Sequence, residues 1–248
     1  SILKREEPIV QELANEYLTE QGITILNNVT LESVSNDGDK PVITANNQNY
    51  TFDAVLYATG RKANTANIGL EHTDIVTNER GAIVVNDTCE SSVPGVYAVG
   101  DVNGGPQFTY ISLDDFRIVF GALTGNSQYT LKDRKNIPYT TFLTPPLSRV
   151  GLTEEDAINQ GYTVKTKEML VATMPRAHVN DYLKGAFKIV VDADNDLILG
   201  ATLYSQGAEE LINLIKMAMD NNIPYTYFKN QIFTHPTMAE NLNDLCNF

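Results

Sequence analysis

The chain has 248 residues, 42% of them hydrophobic and 20% charged, and a formal net charge of -13. That composition suits a folded chain with one large core or two modest ones and excludes a disordered polymer. The acidic excess argues against a nucleic-acid backbone or an anionic membrane as partner, because both would repel it; small molecules or proteins remain.

No run approaches the roughly 18 apolar residues of a membrane span, and the opening Ser-Ile-Leu-Lys-Arg-Glu-Glu lacks the apolar core of a signal peptide, so a cytoplasmic setting is expected. Val10, Leu13, Ala14, Tyr17 and Leu18 fall at i, i+3, i+4, i+7 and i+8, with Gly22 after them, which predicts an amphipathic helix over 7–21 packed on a sheet. Ile23–Leu26 follows, then β-rich stretches at Val29–Ser35, Val42–Ala45 and Tyr50–Phe52. Asn36-Asp37-Gly38 and Asn46-Asn47 break them, as in a β-meander. Ala54-Val-Leu-Tyr-Ala-Thr-Gly60-Arg61 is a continuous apolar run ending at a glycine, which predicts a buried parallel strand delivering its carboxyl end to a ligand crevice. Gly95-Val-Tyr-Ala-Val-Gly100-Asp101 repeats that make with an acid at its end. Gly100 allows close approach to the backbone, and Asp101 can accept hydrogen bonds from sugar-like hydroxyls or cap the next turn. A helix is predicted over Thr109–Leu123, with Ile111, Phe116, Val119, Phe120 and Leu123 among its apolar positions. Its N-terminus would favour negative charge in the same crevice.

From about Ile137 the pattern changes to α+β, with strands expected at 139–142, 169–173, 186–191 and 197–203 and an amphipathic helix at Ala208–Asp220. Asp192, Asp194 and Asp196 imitate the first ligands of a calcium loop. Leu197 stands where that loop needs glycine and no glutamate closes it, so a hairpin turn is expected and no metal is implied. Cys89 and Cys246 lie far apart, fit neither a Cys-x-x-Cys redox pair nor a zinc pattern, and read as packed small hydrophobes. Near the end, Thr234-His235-Pro236-Thr237-Met238-Ala239-Glu240 holds a base and a carboxylate at fixed spacing. Pro236 disfavours the α region at His235 and suits a helix entry, so the imidazole should project from a rigid corner ahead of a helix. Thr237-Met-Ala-Glu240 also fits a capping box in which Glu240 only reaches back to the Thr237 backbone, and both uses of Glu240 stay open here.

The His-Pro-Thr run with Glu240 following resembles the C-terminal signature of the flavoprotein disulfide reductases, which include glutathione reductase, dihydrolipoamide dehydrogenase and mercuric reductase. Ala58-Thr-Gly-Arg61, Val96-Tyr-Ala-Val-Gly-Asp101 and Thr144-Pro-Pro-Leu-Ser-Arg-Val-Gly-Leu-Thr-Glu154 resemble successive landmarks of the same family, in the same order. Phe108–Ile118, the Pro-Pro-Leu-Ser-Arg stretch and Met174-Pro-Arg-Ala177 look most similar to its mercuric-reductase-like branch, especially the reactive-chlorine-resistance flavoproteins. The resemblance covers essentially the whole chain. It implies incomplete Rossmann-like nucleotide-binding portions, a remnant of the NAD(P)-binding domain at 1–58 and a flavin-proximal segment at 59–136, followed by an α+β interface domain at 137–248 that forms a homodimer. It also implies FAD and NAD(P)H as cofactors, with electrons passing to a redox disulfide and then to a disulfide, oxidant or metal-ion substrate. Under it Gly100 and Asp101 would meet the flavin ribityl chain, Phe108, Thr109 and Tyr110 the ring edge, and Gly60 and Arg61 the nicotinamide nucleotide. His235 would be the acid/base, with Glu240 orienting it. The family's Gly-x-Gly-x-x-Gly turn and Cys-x4-Cys pair do not occur in these 248 residues, so this polypeptide is expected to bind FAD weakly or not at all and to be inactive alone, as the second half of an enzyme. Lys4 and Arg5 read as solvated surface charge or as contacts to the cofactor's adenosine ribose. Dihydrolipoamide dehydrogenase or glutathione reductase activity, or a non-catalytic dimerisation module, are the alternatives.

Overall fold

A computed structural model describes residues 2–126 and 128–248. In chain order the elements are α1 (Pro8–Glu20), β1 (Leu31–Asp37), β2 (Lys40–Ala45), β3 (Gln48–Thr51), α2 (Thr109–Thr124), β4 (Tyr139–Thr141), β5 (Leu147–Gly151), α3 (Glu154–Asn159), β6 (Val164–Leu170), α4 (Pro175–Val179), β7 (Ala186–Asp192), β8 (Ile198–Tyr204), α5 (Ala208–Asp220), α6 (Tyr225–Asn230) and α7 (Asn241–Leu245). Two compact units result, one from residues 1–51 with 136–248, the other from 52–135. Divisions are expected from sequence at 58/59 and 136/137; the compact units divide the chain at 51/52 and 135/136, and residues 1–51 group with 136–248.

Packing explains that grouping. Val10, Ala14 and Tyr17 line one face of α1 and are buried against Leu147 of β5 and Tyr204 of β8. Gly185 secures the same contact: its N–H donates to the Tyr17 hydroxyl at 2.8 Å. With φ +122°, it sits so near β8 that a Cβ would come within 1.7 Å of the Tyr204 carbonyl oxygen, so only glycine fits. The meander forms as expected, β1–β2–β3 antiparallel. Asn46 and Asn47, with φ of 50° and 60°, make the two-residue connection that both positive φ values favour.

The second sheet is antiparallel in the order β4–β5–β8–β7–β6. All seven residues of β7 are buried. Helix α5 packs on β5 and β8, with Leu211, Ile212, Ile215 and Ala218 turned into a core that includes Val150, Phe187, Ile189 and Leu203. Each leucine, isoleucine or valine side chain so buried contributes roughly 1.5–3 kcal/mol by leaving water. Strand β5 was not among the expected strands, because Pro145 and Pro146 directly before it are loop residues by pattern. Strand β6 begins five residues before the expected Met169, at Val164, and residues 171–173 form a 3₁₀ turn.

In the unit of residues 52–135 two expectations are corrected. Residues 54–60 form no strand, and Leu56 and Tyr57 are 88% and 66% exposed rather than buried. Residues 95–99 form no strand either: Gly95 sits in a turn with φ 80°, and Tyr97 makes an isolated bridge with Glu90 before a 3₁₀ turn at Gly100–Asn103. An apolar run becomes a strand only where a neighbour accepts its ladder of hydrogen bonds. Among the described residues no strand lies beside either run. Helix α2 forms as expected, but its inward face is Ile111, Asp115 and Ile118, while Phe116, Phe120 and Leu123 are exposed. The whole is a mixed α/β chain with antiparallel sheets and an α+β C-terminal portion. Among the described residues no helix is long and apolar enough to cross a membrane.

Candidate functional site

The expected site residues divide between the two units, and each group is described within its own. In the larger unit, His235 and Pro236 are joined by a cis peptide bond. The helix does not begin at Pro236 as expected; residues 237–240 make a turn and α7 starts at Asn241. The two uses of Glu240 prove compatible. Its Oε1 accepts the Thr237 N–H at 3.1 Å while the Glu240 N–H donates to Thr237 Oγ1 at 3.2 Å, the reciprocal pattern of the capping box formed in a turn. Its Oε2 lies 2.7 Å from His235 Nδ1. Met238 and Ala239 anchor the turn against the core, whereas the His235 side chain is 70% exposed. Partial burial opposes ionisation of Glu240, but the bonds to His235 and to the Thr237 N–H outweigh it, so its pKa lies below the ordinary glutamate value. An ionised carboxylate only accepts, so Nδ1 carries the proton and, in the neutral ring, Nε2 presents its lone pair outward. This is the arrangement of an oriented base.

In the smaller unit, Asp101 lies in the 3₁₀ turn, half exposed, with Arg61 Nη1 3.4 Å from its Oδ2. Both side chains are open to solvent, so this ion pair is weak. Gly100 has φ +74°, and a Cβ there would lie 2.6 Å from Ser112 Oγ, so the turn sits directly on α2. Gly60 is exposed beside Arg61. Phe108 and Tyr110 stack at 5.1 Å with ring planes 9° apart, flanking Thr109 at the start of α2. That helix has sixteen residues, no acid in its own first turn and, among the described residues, no side-chain cap at Phe108, so its start favours negative charge.

Sequence reasoning missed what holds this turn in place. Asp115 is fully buried. Its Oδ2 accepts from the Gly100 N–H at 2.7 Å and from Asn103 Nδ2 at 2.9 Å. Its Oδ1 accepts from Arg134 Nη2 at 2.5 Å, and Arg134 Nε donates to Asp114 at 2.8 Å. A signal was present: Ile111, Asp115 and Ile118 share one helical face, and an acid on an apolar stripe needs a partner.

A second buried cluster was also unread. Lys188 of β7 meets Glu7 at 3.0 Å, Glu154 at 2.6 Å and Glu168 at 3.0 Å. It borders a cleft of about 660 Å³ also lined by Lys4, Arg5, Glu6 and Arg149. Both cysteines are buried, and burial raises the Cys89 thiol to about 11 and the Cys246 thiol to about 12, so neither supplies a thiolate near neutrality. At 192–197 the Asp192 carboxylate accepts from the Asp194 N–H and Asn195 Nδ2, closing the turn between β7 and β8.

A family profile described as pyridine nucleotide-disulphide oxidoreductase matches residues 1–115, and one described as pyridine nucleotide-disulphide oxidoreductase, dimerisation domain, matches 137–246. A probable pyridine nucleotide-disulfide oxidoreductase of Escherichia coli (strain K12), RclA, is 42% identical over 243 residues, which are 98% of this chain and 55% of that protein. A mercuric reductase of Staphylococcus aureus is 34% identical over 245 residues, 97% of this chain and 45% of that protein. Among solved structures, the HOCl-induced flavoprotein disulfide reductase RclA from Escherichia coli superposes with a TM-score of 0.95 at 41% identity, covering 99% of this chain and 57% of that one. The chain thus spans about half the length of the curated relatives it matches.

Proposed function

The chain belongs to the pyridine nucleotide-disulphide oxidoreductases, and from that premise we propose that it is part of an FAD-dependent reductase. The whole protein would pass electrons from NAD(P)H through FAD and a redox disulfide to a disulfide, oxidant or metal-ion substrate. On this reading residues 1–58 are the remnant of the NAD(P)-binding domain, 59–136 the flavin-proximal segment of the FAD-binding domain, and 137–248 a homodimer interface. A cytoplasmic setting belongs to the same reading.

The donor set of the turn and of α2 fits a flavin. Asp101 offers carboxylate oxygens to hydroxyl groups from a half-exposed position. The start of α2 favours negative charge, and Phe108, Thr109 and Tyr110 border it. These residues, with Gly100, would hold the ribityl chain and ring edge, and Gly60 and Arg61 would lie near the nicotinamide nucleotide. FAD, when bound, supplies the hydride chemistry that no side chain can.

The observation that carries the reading is the 2.7 Å contact between His235 Nδ1 and Glu240 Oε2. It leaves Nε2 to take the proton of a thiol, releasing the nucleophilic thiolate, and to return it to a product. Glu240 fixes the ring orientation and stabilises the imidazolium. In the intact reductase, His235→Ala should slow the thiol-dependent half-reaction by about 10²–10⁴-fold and leave flavin reduction by NAD(P)H near its original rate. Equal slowing of both half-reactions in stopped flow would refute the assignment.

A further inference from the structure

The buried pair Asp115–Arg134 has no place in the chemistry described so far, and its bonds converge on the one turn that carries Asp101. Asp115 grips that turn on both sides of Asp101. The backbone N–H of Gly100, immediately before it, donates to Oδ2 at 2.7 Å, and the side-chain amide of Asn103, two residues after it, donates to the same oxygen at 2.9 Å. Asn103 in turn fixes the way out of the turn, because its Oδ1 accepts the Gly105 N–H at 3.0 Å and its Nδ2 also donates to the Ala98 carbonyl at 3.3 Å. One carboxylate therefore defines the entry and exit of a four-residue turn.

An acid with no solvent exposure is held there only if its charge is matched. Arg134 provides the match. Its side chain is 9% exposed, with Nη2 on Asp115 Oδ1 at 2.5 Å and Nε on Asp114 Oδ2 at 2.8 Å. Two adjacent acids of α2 and one arginine from outside the helix thus lock the segment before Lys135 to the turn through α2. A neutral capping residue would have satisfied the Gly100 N–H at less desolvation cost; the charged pair adds bonds that are stronger and more directional.

We infer that Asp115, paired with Arg134, is a positioning residue that sets the orientation of the Asp101 carboxylate toward the flavin's ribityl hydroxyls. The inference rests on the flavin reading of Asp101 proposed above. It acts through Asp101 and touches no cofactor itself, so its effect should vanish when Asp101 can no longer contribute.

The test is a double-mutant cycle on the whole reductase, stripped of flavin and titrated with FAD while flavin fluorescence is followed. Asp101→Asn should weaken FAD binding, and Asp115→Asn in the otherwise native protein should weaken it by about tenfold or more, as expected for losing charge-assisted hydrogen bonds. In the Asp101→Asn background, Asp115→Asn should change the dissociation constant by less than about twofold. Asn103→Ala removes only the second grip and leaves the buried charges paired. It should show the same dependence on Asp101 with a smaller effect, and it carries the test if Asp115→Asn does not fold. Equal weakening in both backgrounds would overturn the inference, since Asp115 would then support the fold without acting through Asp101. No effect of Asp101→Asn alone would overturn the flavin reading itself.

Discussion

Lys188→Met probes the charged cluster where α1 meets the C-terminal sheet. Lys188 is 4% exposed and Glu7 only 2%. The side chains of Glu154 and Glu168, by contrast, are 37% and 42% exposed and can rehydrate. Removing the ammonium leaves Glu7 without its counter-charge, a change that costs about 3–5 kcal/mol at buried pairs. The lower end applies here, because Glu7 Oε1 still accepts the Glu154 N–H at 2.8 Å. A loss of about 3 kcal/mol, at a urea slope of roughly 1–3 kcal/mol/M, moves the unfolding midpoint by about 1 M or more. Glu7→Gln should cost less than Lys188→Met, because Lys188 keeps Glu154 and Glu168 as partners, and Glu168→Gln less than about 1 kcal/mol, as half-exposed pairs do. The double variant Lys188→Met/Glu7→Gln should recover part of the loss, since it leaves no buried charge unmatched. Burial works against the ammonium, but hydrogen bonds to Glu154, Glu168 and Glu7 outweigh it and raise the Lys188 pKa above the ordinary lysine value. A raised folded pKa gives stability that is complete below the unfolded value of about 10.4 and is lost as pH rises through the higher folded value. Lys188 should therefore add no pH dependence to the difference between wild type and Lys188→Met from about pH 6 to 9. Urea unfolding of the 248-residue chain by circular dichroism measures all of this. A Lys188→Met loss below about 1 kcal/mol, or a Glu168→Gln loss equal to it, would refute the reasoning.

Two further outcomes concern the polypeptide as a whole. Light scattering at micromolar concentration should report a homodimer formed through residues 137–248, the region matching the dimerisation-domain profile; a monomer that persists as concentration rises would count against it. Mixed with FAD and desalted, the 248-residue chain should keep little absorbance near 450 nm (roughly the flavin band), because a pyrophosphate needs a glycine turn at a helix N-terminus and no Gly-x-Gly-x-x-Gly occurs in the sequence. Stoichiometric retention would mean that the pyrophosphate is held in another way.

Local patterns in this sequence translated well where the structure they predict is self-sufficient. The 3.6-residue stripes of α1 and α5 and the Asn46-Asn47 connection depend on near neighbours, and each formed where the residues placed it. The runs at 54–60 and 95–99 failed for the opposite reason. Their apolar character states a preference for burial in a sheet, but a strand is a property of a pair, and among the described residues none lies beside them. The buried ions were hidden likewise: Glu7 and Lys188 lie far apart in the sequence, and nothing in the neighbourhood of either names the other.

Glu240 shows how a question posed by sequence can dissolve in geometry. The capping box and the histidine partner looked like competing uses of one side chain, since a motif treats a residue as a unit. A carboxylate has two oxygens, and here each has its own donor, Oε1 the Thr237 N–H and Oε2 the His235 ring. The two bonds cooperate. The backbone bond removes the freedom of Glu240 to swing away, and it also helps keep the carboxylate ionised, which is the state that holds the Nδ1 proton in place. The local turn motif is therefore part of what orients the His235 ring, so that the base proposed above, although largely exposed, would meet a substrate from a fixed direction.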